Sequence, residues 1–466
     1  MRLHWHRRDL RLADNRGLAD APDRPVGLFV FDTAVLDHAG APRVTFLLDA
    51  LGELRAAYRE RGSELLVKQG DPATVVPDVA GDLGAEFVSW NRDYSGLARE
   101  RDERVDGALE DVDATPQKFH DAVCHEPGSI TTNAGEPYSV FTYFGRKWSD
   151  REKDDPRQIP DMAPADDLGV DPGPIPTLSE LGFDAAEAEV PTAGTGAARR
   201  LLESFLDDDV YRYEELRDYP TEECTSRLSV HLKFGTIGIR EVDKRVREAL
   251  KSASGERRES VAEFRSQLAW REFYTHVLYF NPEVVAANYK SYENPIEWDD
   301  DEDLLAAWKR GETGYPIVDA GMRQLRAEAF MHNRVRMIVA SFLTKDLLID
   351  WRRGYEHFRE LLVDHDTAND NGGWQWAAST GTDSQPYFRI FNPMTQGERY
   401  DPDGEYIKEY VPELEGVDPD VIHSWHELTP TERANAAPEY PEPVVDHSER
   451  REQALSMFER ARGDSD

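Results

Sequence analysis

Residues 26–67, VGLFVFDTAVLDHAGAPRVTFLLDALGELRAAYRERGSELLV, read as strand, helix and strand. Val26 to Phe31 is an apolar run of strand length. Over 44–61, Phe46, Leu47, Ala50, Leu51, Leu54 and Tyr58 recur at helical spacing. Residues 65–67 are apolar again. Two strands bridged by a helix of this length pair in parallel. Further strands read at 3–6, 87–90 and 117–119, with helical patterns between them. Residues 1–130 are therefore expected to form an α/β domain, a doubly wound parallel sheet with helices on both faces. Ligands of such sheets sit at the carboxyl ends of strands. Gly70-Asp71-Pro72 and Asn91-Arg92-Asp93-Tyr94 fall there.

Residues 131–195 read as an interdomain linker, because 153–191 are rich in Pro, Asp and Gly and poor in periodic apolar residues. Residues 196–466 read as an all-α domain. Helices are expected at 197–207, 240–253, 260–279, 303–309, 316–329, 333–350, 355–362 and 448–462, with no long regulatory tail after the last. No internal repeat is visible.

The chain has 466 residues, enough for two or three domains, and 39% apolar residues, enough for sizeable cores. No apolar run approaches a membrane span, and residues 1–16 carry Arg and Asp where a signal peptide needs an apolar run. A cytoplasmic protein without a membrane partner is expected. Two cysteines, Cys124 and Cys224, exclude a disulfide framework. The net charge is −36 (55 basic, 91 acidic), which on its face argues against a polyanionic partner. In very high salt, however, the Debye length falls to about 3 Å. A strongly acidic skin then serves solubility and says little about partners. Without coiled-coil heptads, a monomer is expected.

Several segments place polar and aromatic residues inside apolar patterns. In FRSQLAWREFY (264–274), Gln267, Trp270 and Tyr274 share one helical face. An amide among aromatics can stack on a base and bond its edge, although a core helix with a buried Trp is the commoner meaning of this stretch alone. In MHNRVRM (331–337), Asn333 and Met337 share a face, as do His332 and Arg336. In DHDTANDNGGWQW (364–376), two glycines beside polar residues permit close backbone approach. Thr225-Ser226-Arg227-Leu228-Ser229 puts hydroxyls and an Arg at a helix start, suited to a pyrophosphate or to a plain N-cap.

Together these segments resemble the DNA photolyase and cryptochrome family, most of all the class I cyclobutane pyrimidine dimer photolyases of halophilic archaea. The resemblance covers nearly the whole chain. It starts at WHRRDLR (5–11) and runs through TSRLS (225–229), WREF (270–273), TGYPIVDAGMRQL (313–325), MHNRVRM, NGGWQW (371–376) and YFRIFNP (387–393). It implies an N-terminal antenna domain and a helical domain holding FAD. It also implies light-driven repair of cyclobutane pyrimidine dimers in ultraviolet-damaged DNA, by electron transfer to a flipped-out dimer. Carried over by position, Tyr213, Thr225, Ser226, Arg227, Leu228, Ser229, Gln267 and Arg271 hold FAD. Arg336, Asp364, Asp366 and Asp370 surround its flavin and ribose. Trp270 and Trp376 pack against the dimer, beside Gln267, Asn333 and Met337. Arg217 and Arg334 meet flanking phosphates, and Trp374, Trp351 and Trp298 match the family's electron-hopping chain.

The chain departs from the resemblance at three places. Gln267 stands where the repair enzymes carry Glu. Gln is also found in enzymes for the (6-4) lesion, but those need a histidine pair where this chain has His332-Asn333, so the cyclobutane dimer is expected. Asp370 stands at the position facing flavin N5, where photolyases carry Asn and plant-type cryptochromes Asp. A carboxylate beside an anionic reduced flavin is repelled with little water to screen it. Asp370 is thus expected to carry a proton in the reduced state and to hand it to N5. Leu97-Ala98 replace the Asn-Glu of folate-binding members, so 91–102 point to a deazaflavin antenna before methenyltetrahydrofolate, with an empty pocket as the alternative. A cryptochrome-type photoreceptor, supported by Asp370, and a flavin electron-transfer protein without nucleic acid are the competing functions. A positive track around a flavin-sized hollow would mark the DNA-repair reading.

Overall fold

A computed structural model describes residues 1–463. Five strands, β1 (Arg2–His6), β2 (Pro25–Phe31), β3 (Leu65–Gln69), β4 (Phe87–Asn91) and β5 (Thr115–Phe119), form one sheet in the order β3-β2-β1-β4-β5. All four pairings are parallel; Leu3 lies opposite Val26 on one side and Val88 on the other. Every residue of β1 and β2 is buried, as strands covered on both faces require. Alternate residues of β2 divide between two cores. Val26, Leu28 and Val30 meet Val76, Val79 and Val105 of the helices Pro72–Leu83 and Gly96–Leu109. Phe29 and Phe31 meet Phe46, Leu51 and Tyr58 of the helix Ala41–Arg59. Gly27 is needed in β2 because a Cβ there would lie 2.6 Å from the Tyr58 ring.

Residues 151–194 contain no regular element beyond one helical turn, Ala165–Asp167. They run along the sheet edge: the Val67 N–H donates to the Pro172 carbonyl at 2.7 Å, so the outer side of β3 is covered. Within 131–195 one helix forms, Phe141–Asp150, and it packs on the 26-residue helix Gly255–Phe280.

The C-terminal half is helical. One expectation fails here: the helix read over 333–350 ends early. Asn333–Ser341 is α-helical, Phe342–Asp346 is a π turn, and Leu348 adopts φ +56°. The periodicity misled because Phe342, Leu343, Leu347 and Ile349 remain in one core across the break. The helix His447–Arg462 docks on that turn through His447 and Asp346 (2.5 Å) and through Arg450 to the Asp346 carbonyl (2.6 Å).

A buried ionic seam joins the two halves. Arg240 donates to Asp14 at 2.7 Å and to Asp121 at 2.5 Å, and Arg11 reaches Asp121 at 2.5 Å. All four side chains are at most 3% exposed. No described helix is long and apolar enough to cross a membrane.

Candidate active site

The helix Thr367–Ala377 organises the site. Asp366 caps it, accepting from the Asn369 N–H at 3.1 Å. The helix packs on both Gly255–Phe280 and Asn333–Ser341. Its two glycines differ in use. A Cβ on Gly372 would overlap the Tyr274 ring, so this glycine allows the helix contact; around Gly373 nothing lies within 4 Å of that position. The bare face at Gly373 is where a planar ring can approach the backbone.

Beside it lies a charged cluster. Arg336 donates to both oxygens of Asp364 at 3.0 and 2.9 Å and to the Met331 carbonyl at 2.8 Å. Its other terminal nitrogen is 3.7 Å from Asp370. Asp370 also lies 2.6 Å from His365 Nδ1 and accepts from the Asp366 N–H at 3.1 Å. A guanidinium held this rigidly between two carboxylates offers fixed charge to a polar ring edge. Asp366 itself turns to the sheet domain and pairs with Arg8 at 2.5 Å. Burial alone would raise its carboxyl, but Arg8, Arg271 and Lys233 outweigh that and hold it far below the usual range.

The 225–229 segment precedes the helix Ser229–Phe234. Arg227 adopts φ +51°, stacks on Phe330 at 4.0 Å and pairs with Glu328 at 3.4 Å. Ser226 accepts from the Leu228 N–H at 3.4 Å. Among the described residues, the hydroxyls of Thr225, Ser229 and Tyr213 have no protein partner. This donor set fits a diphosphate-bearing group. Arg271 differs: it donates to the Ala122 and Leu232 carbonyls at 2.7 and 3.3 Å and so fastens the domain seam.

On the opposite side, Glu263 binds Arg217 and accepts from Gln267 Nε2 at 2.8 Å. Because the amide's N–H end faces the carboxylate, its Oε1 is left as an acceptor. Arg334 pairs with Asp218 at 2.6 Å and lies 4.4 Å over the Tyr400 ring. Asp218 is also 3.9 Å from Arg217. The two arginines expected at phosphates are therefore each neutralised by an acidic neighbour. Trp270 stacks on Phe141, centroids 3.8 Å apart and 12° from coplanar, so only the other indole face can meet a base. Asn333 is exposed, its Nδ2 3.8 Å from Met337 Sδ, and Trp376 lies 6.4 Å from Phe391.

Trp374 and Trp351 are buried in one core, and half-buried Trp298 packs against it. Trp374 touches Phe358 (4.9 Å) and Trp308 (6.1 Å); Trp351 donates to Asn288 at 2.9 Å; Trp298 meets Phe458 at 5.9 Å.

A second candidate site, a hollow of about 390 Å3, lies between the sheet and the helices. Leu36, Val44, Leu47, Leu97 and Phe234 supply apolar wall, and Arg8, Arg43, Lys233 and Arg359 supply positive charge. Burial and the neighbouring Arg8 push the Lys233 amine down to about 8. Asp93, from the stretch after β4, lines this hollow. Gly70-Asp71-Pro72 does not: Asp71 instead caps the Pro72–Leu83 helix and pairs with Arg104.

Sequence reasoning missed Asp218, Glu263, Phe141 and His365. Glu263 had a local signal in its i, i+4 spacing from Gln267, and His365 in its place between Asp364 and Asp366.

Residues 2–164 match the family described as DNA photolyase, and residues 264–460 that described as the FAD binding domain of DNA photolyase. The chain is 64% identical, over the full length of both, to a deoxyribodipyrimidine photo-lyase of Halobacterium salinarum. It superposes on a class III photolyase from Agrobacterium tumefaciens with a TM-score of 0.91 at 35% identity, covering 99% of this chain and 98% of that one. A photolyase from Sulfolobus tokodaii, solved with two FAD molecules and described as implying a novel light-harvesting cofactor, gives 0.85 at 33% identity over 98% and 99%.

Proposed function

The chain belongs to the DNA photolyase family, and from that premise we propose that it is a deoxyribodipyrimidine photo-lyase using FAD to repair cyclobutane pyrimidine dimers in DNA with blue light. The arrangement that carries this reading is the open helix face at Gly373 beside the Arg336–Asp364–Asp370 cluster. Reduced FAD bound there supplies, on absorbing light, the electron that opens the cyclobutane ring and takes it back afterwards. The protein positions, insulates and tunes.

Arg336, Asp364 and Asp370 orient the flavin, with Asp370 at N5. Tyr213, Thr225, Ser226, Arg227, Leu228 and Ser229 hold the diphosphate and ribose side. Trp270, backed by Phe141, and Trp376 sandwich the flipped bases, with Asn333 and Met337 beside them. Gln267 presents Oε1 to the lesion, since Glu263 takes its N–H, and so acts as the acceptor that Glu is elsewhere. Arg217 and Arg334 exchange Glu263 and Asp218 for DNA phosphates. Trp374, Trp351 and Trp298 carry electrons inward from the surface. The second hollow takes an antenna pigment with a planar apolar body and an anionic tail, a description that suits a deazaflavin. The protein acts as a monomer in the cytoplasm.

The test is light-driven repair in molar salt, with oligonucleotides carrying either a cyclobutane dimer or a (6-4) lesion. Loss of the dimer alone is expected. Loss of the (6-4) lesion alone overturns the lesion assignment, and loss of neither, with reduced flavin bound, favours a photoreceptor.

A further inference from the structure

We propose that His365 is a proton relay that reloads Asp370 from water in the hollow between the two domains. The inference rests on the placement of Asp370 at flavin N5 and adds to it the route by which its proton is replaced.

Three groups meet the Asp370 carboxylate: His365 Nδ1, the Arg336 guanidinium and the Asp366 backbone N–H. A guanidinium does not give up a proton at neutral pH, and a backbone amide does not exchange one fast enough to serve a photocycle. Only the imidazole can both give and take a proton. Its position suits that task. The side chain is 7% exposed, Nδ1 lies 2.6 Å from Asp370 at an angle that leaves it without a formed hydrogen bond, so a small turn of the ring precedes transfer, and the residue also lines the 390 Å3 hollow. Tyr355, in edge contact at 5.4 Å, and Thr367 line the hollow beside it. One residue therefore spans the partition between the hollow and the flavin cluster.

The charges around the relay fix its resting state. Arg43 and Lys233 face it from the sheet domain and the Ser229–Phe234 helix, Arg336 lies across Asp370, and Asp364, Asp366 and Asp93 are the nearby carboxylates. Burial, with Arg43 and Lys233, holds His365 below the ordinary imidazole range, while Asp370 works against them. His365 thus rests neutral at pH 7 and works by passage. Asp370 gives its carboxyl proton to N5. His365 takes a proton at Nε2 from water in the hollow, and the imidazolium so formed gives its Nδ1 proton to the Asp370 carboxylate. One proton enters from solvent, one arrives at N5, and no electron moves along this path.

The experiment uses the full FAD-loaded protein. The infrared carboxyl band of Asp370, identified by its absence in Asp370→Asn, is followed after a light flash. In His365→Phe and His365→Asn, recovery of that band is expected to slow by about 100-fold, the scale on which removing a positioned acid–base group acts. Added imidazole, which fits the hollow, is expected to restore it. In the flavin-free native protein, the nitrogen resonances of His365 are expected to shift on Asp370→Asn. Native recovery rates in both His365 variants, or resonances indifferent to Asp370, overturn the relay. If Asp370→Asn leaves flavin protonation unchanged, the placement of Asp370 fails instead.

Discussion

Replacing Arg240 with Leu is expected to destabilise the protein by about 3–5 kcal/mol, the cost of breaking a buried ion pair from one side. Arg240 is fully buried and makes four bonds across the seam, to the carboxylates and the carbonyls of Asp14 and Asp121. Its loss leaves the Asp14 carboxylate, itself at 0% exposure, with only backbone N–H donors from Arg157 and Glu241. Asp121 keeps Arg11. Water does not reach the site to compensate, and Leu adds apolar contact without supplying a donor. Urea unfolding at fixed molar salt measures the effect, and a loss below about 1 kcal/mol, the scale of exposed pairs, contradicts it. The consequence for function is positional. The second hollow is lined from both halves of the chain, so a loosened seam is expected to change its width.

Trp374→Phe is expected to reduce light-driven reduction of oxidised flavin to the level of the unilluminated protein. Trp374 is buried on the same helix as Asp370, one turn further on, and its Nε1 has no hydrogen-bond partner. Trp351 is buried in the same core, and Trp298 is the half-buried member next to solvent. The three rings run from the core toward the surface, along the route proposed for electrons that reduce the flavin. Phenylalanine keeps the contact with Phe358 but is far harder to oxidise, so the first hop is lost. The packing is tight: a Cβ on Gly354 would overlap the Trp374 ring, so the indole has one available position. Absorbance of the flavin under steady blue light, with an external reductant, reports the rate. Unchanged photoreduction in Trp374→Phe places the route elsewhere.

The parts of this molecule legible in the sequence are those set by local periodicity. β2 is an unbroken apolar run because helices cover both its faces, and the helix that follows shows its buried stripe from Phe46 to Tyr58. The same rule failed where burial continued past a helix end: Leu347 and Ile349 stay in the core although the backbone has left the helix. Tertiary partners were the least visible. Nothing local tells that Asp218 meets Arg334 116 residues away, or that Phe141 covers Trp270. His365 stood in plain view between Asp364 and Asp366, yet which way it faces is decided by the turn into the Thr367–Ala377 helix. The overall charge of −36 misleads in the same sense. Arg217 and Arg334, proposed to meet DNA phosphates, each sit beside acids that neutralise them in this structure.

In the proposed reaction an excited reduced flavin in the helical half passes an electron to a pyrimidine dimer held against Trp270. The most direct measurement is the emission of the reduced, FAD-loaded protein in molar salt, with dimer-containing or undamaged oligonucleotide added. The dimer is expected to quench the emission and to be split in step with the quenching, while undamaged DNA does neither. Equal emission with both oligonucleotides, under conditions where the damaged one is bound, contradicts it.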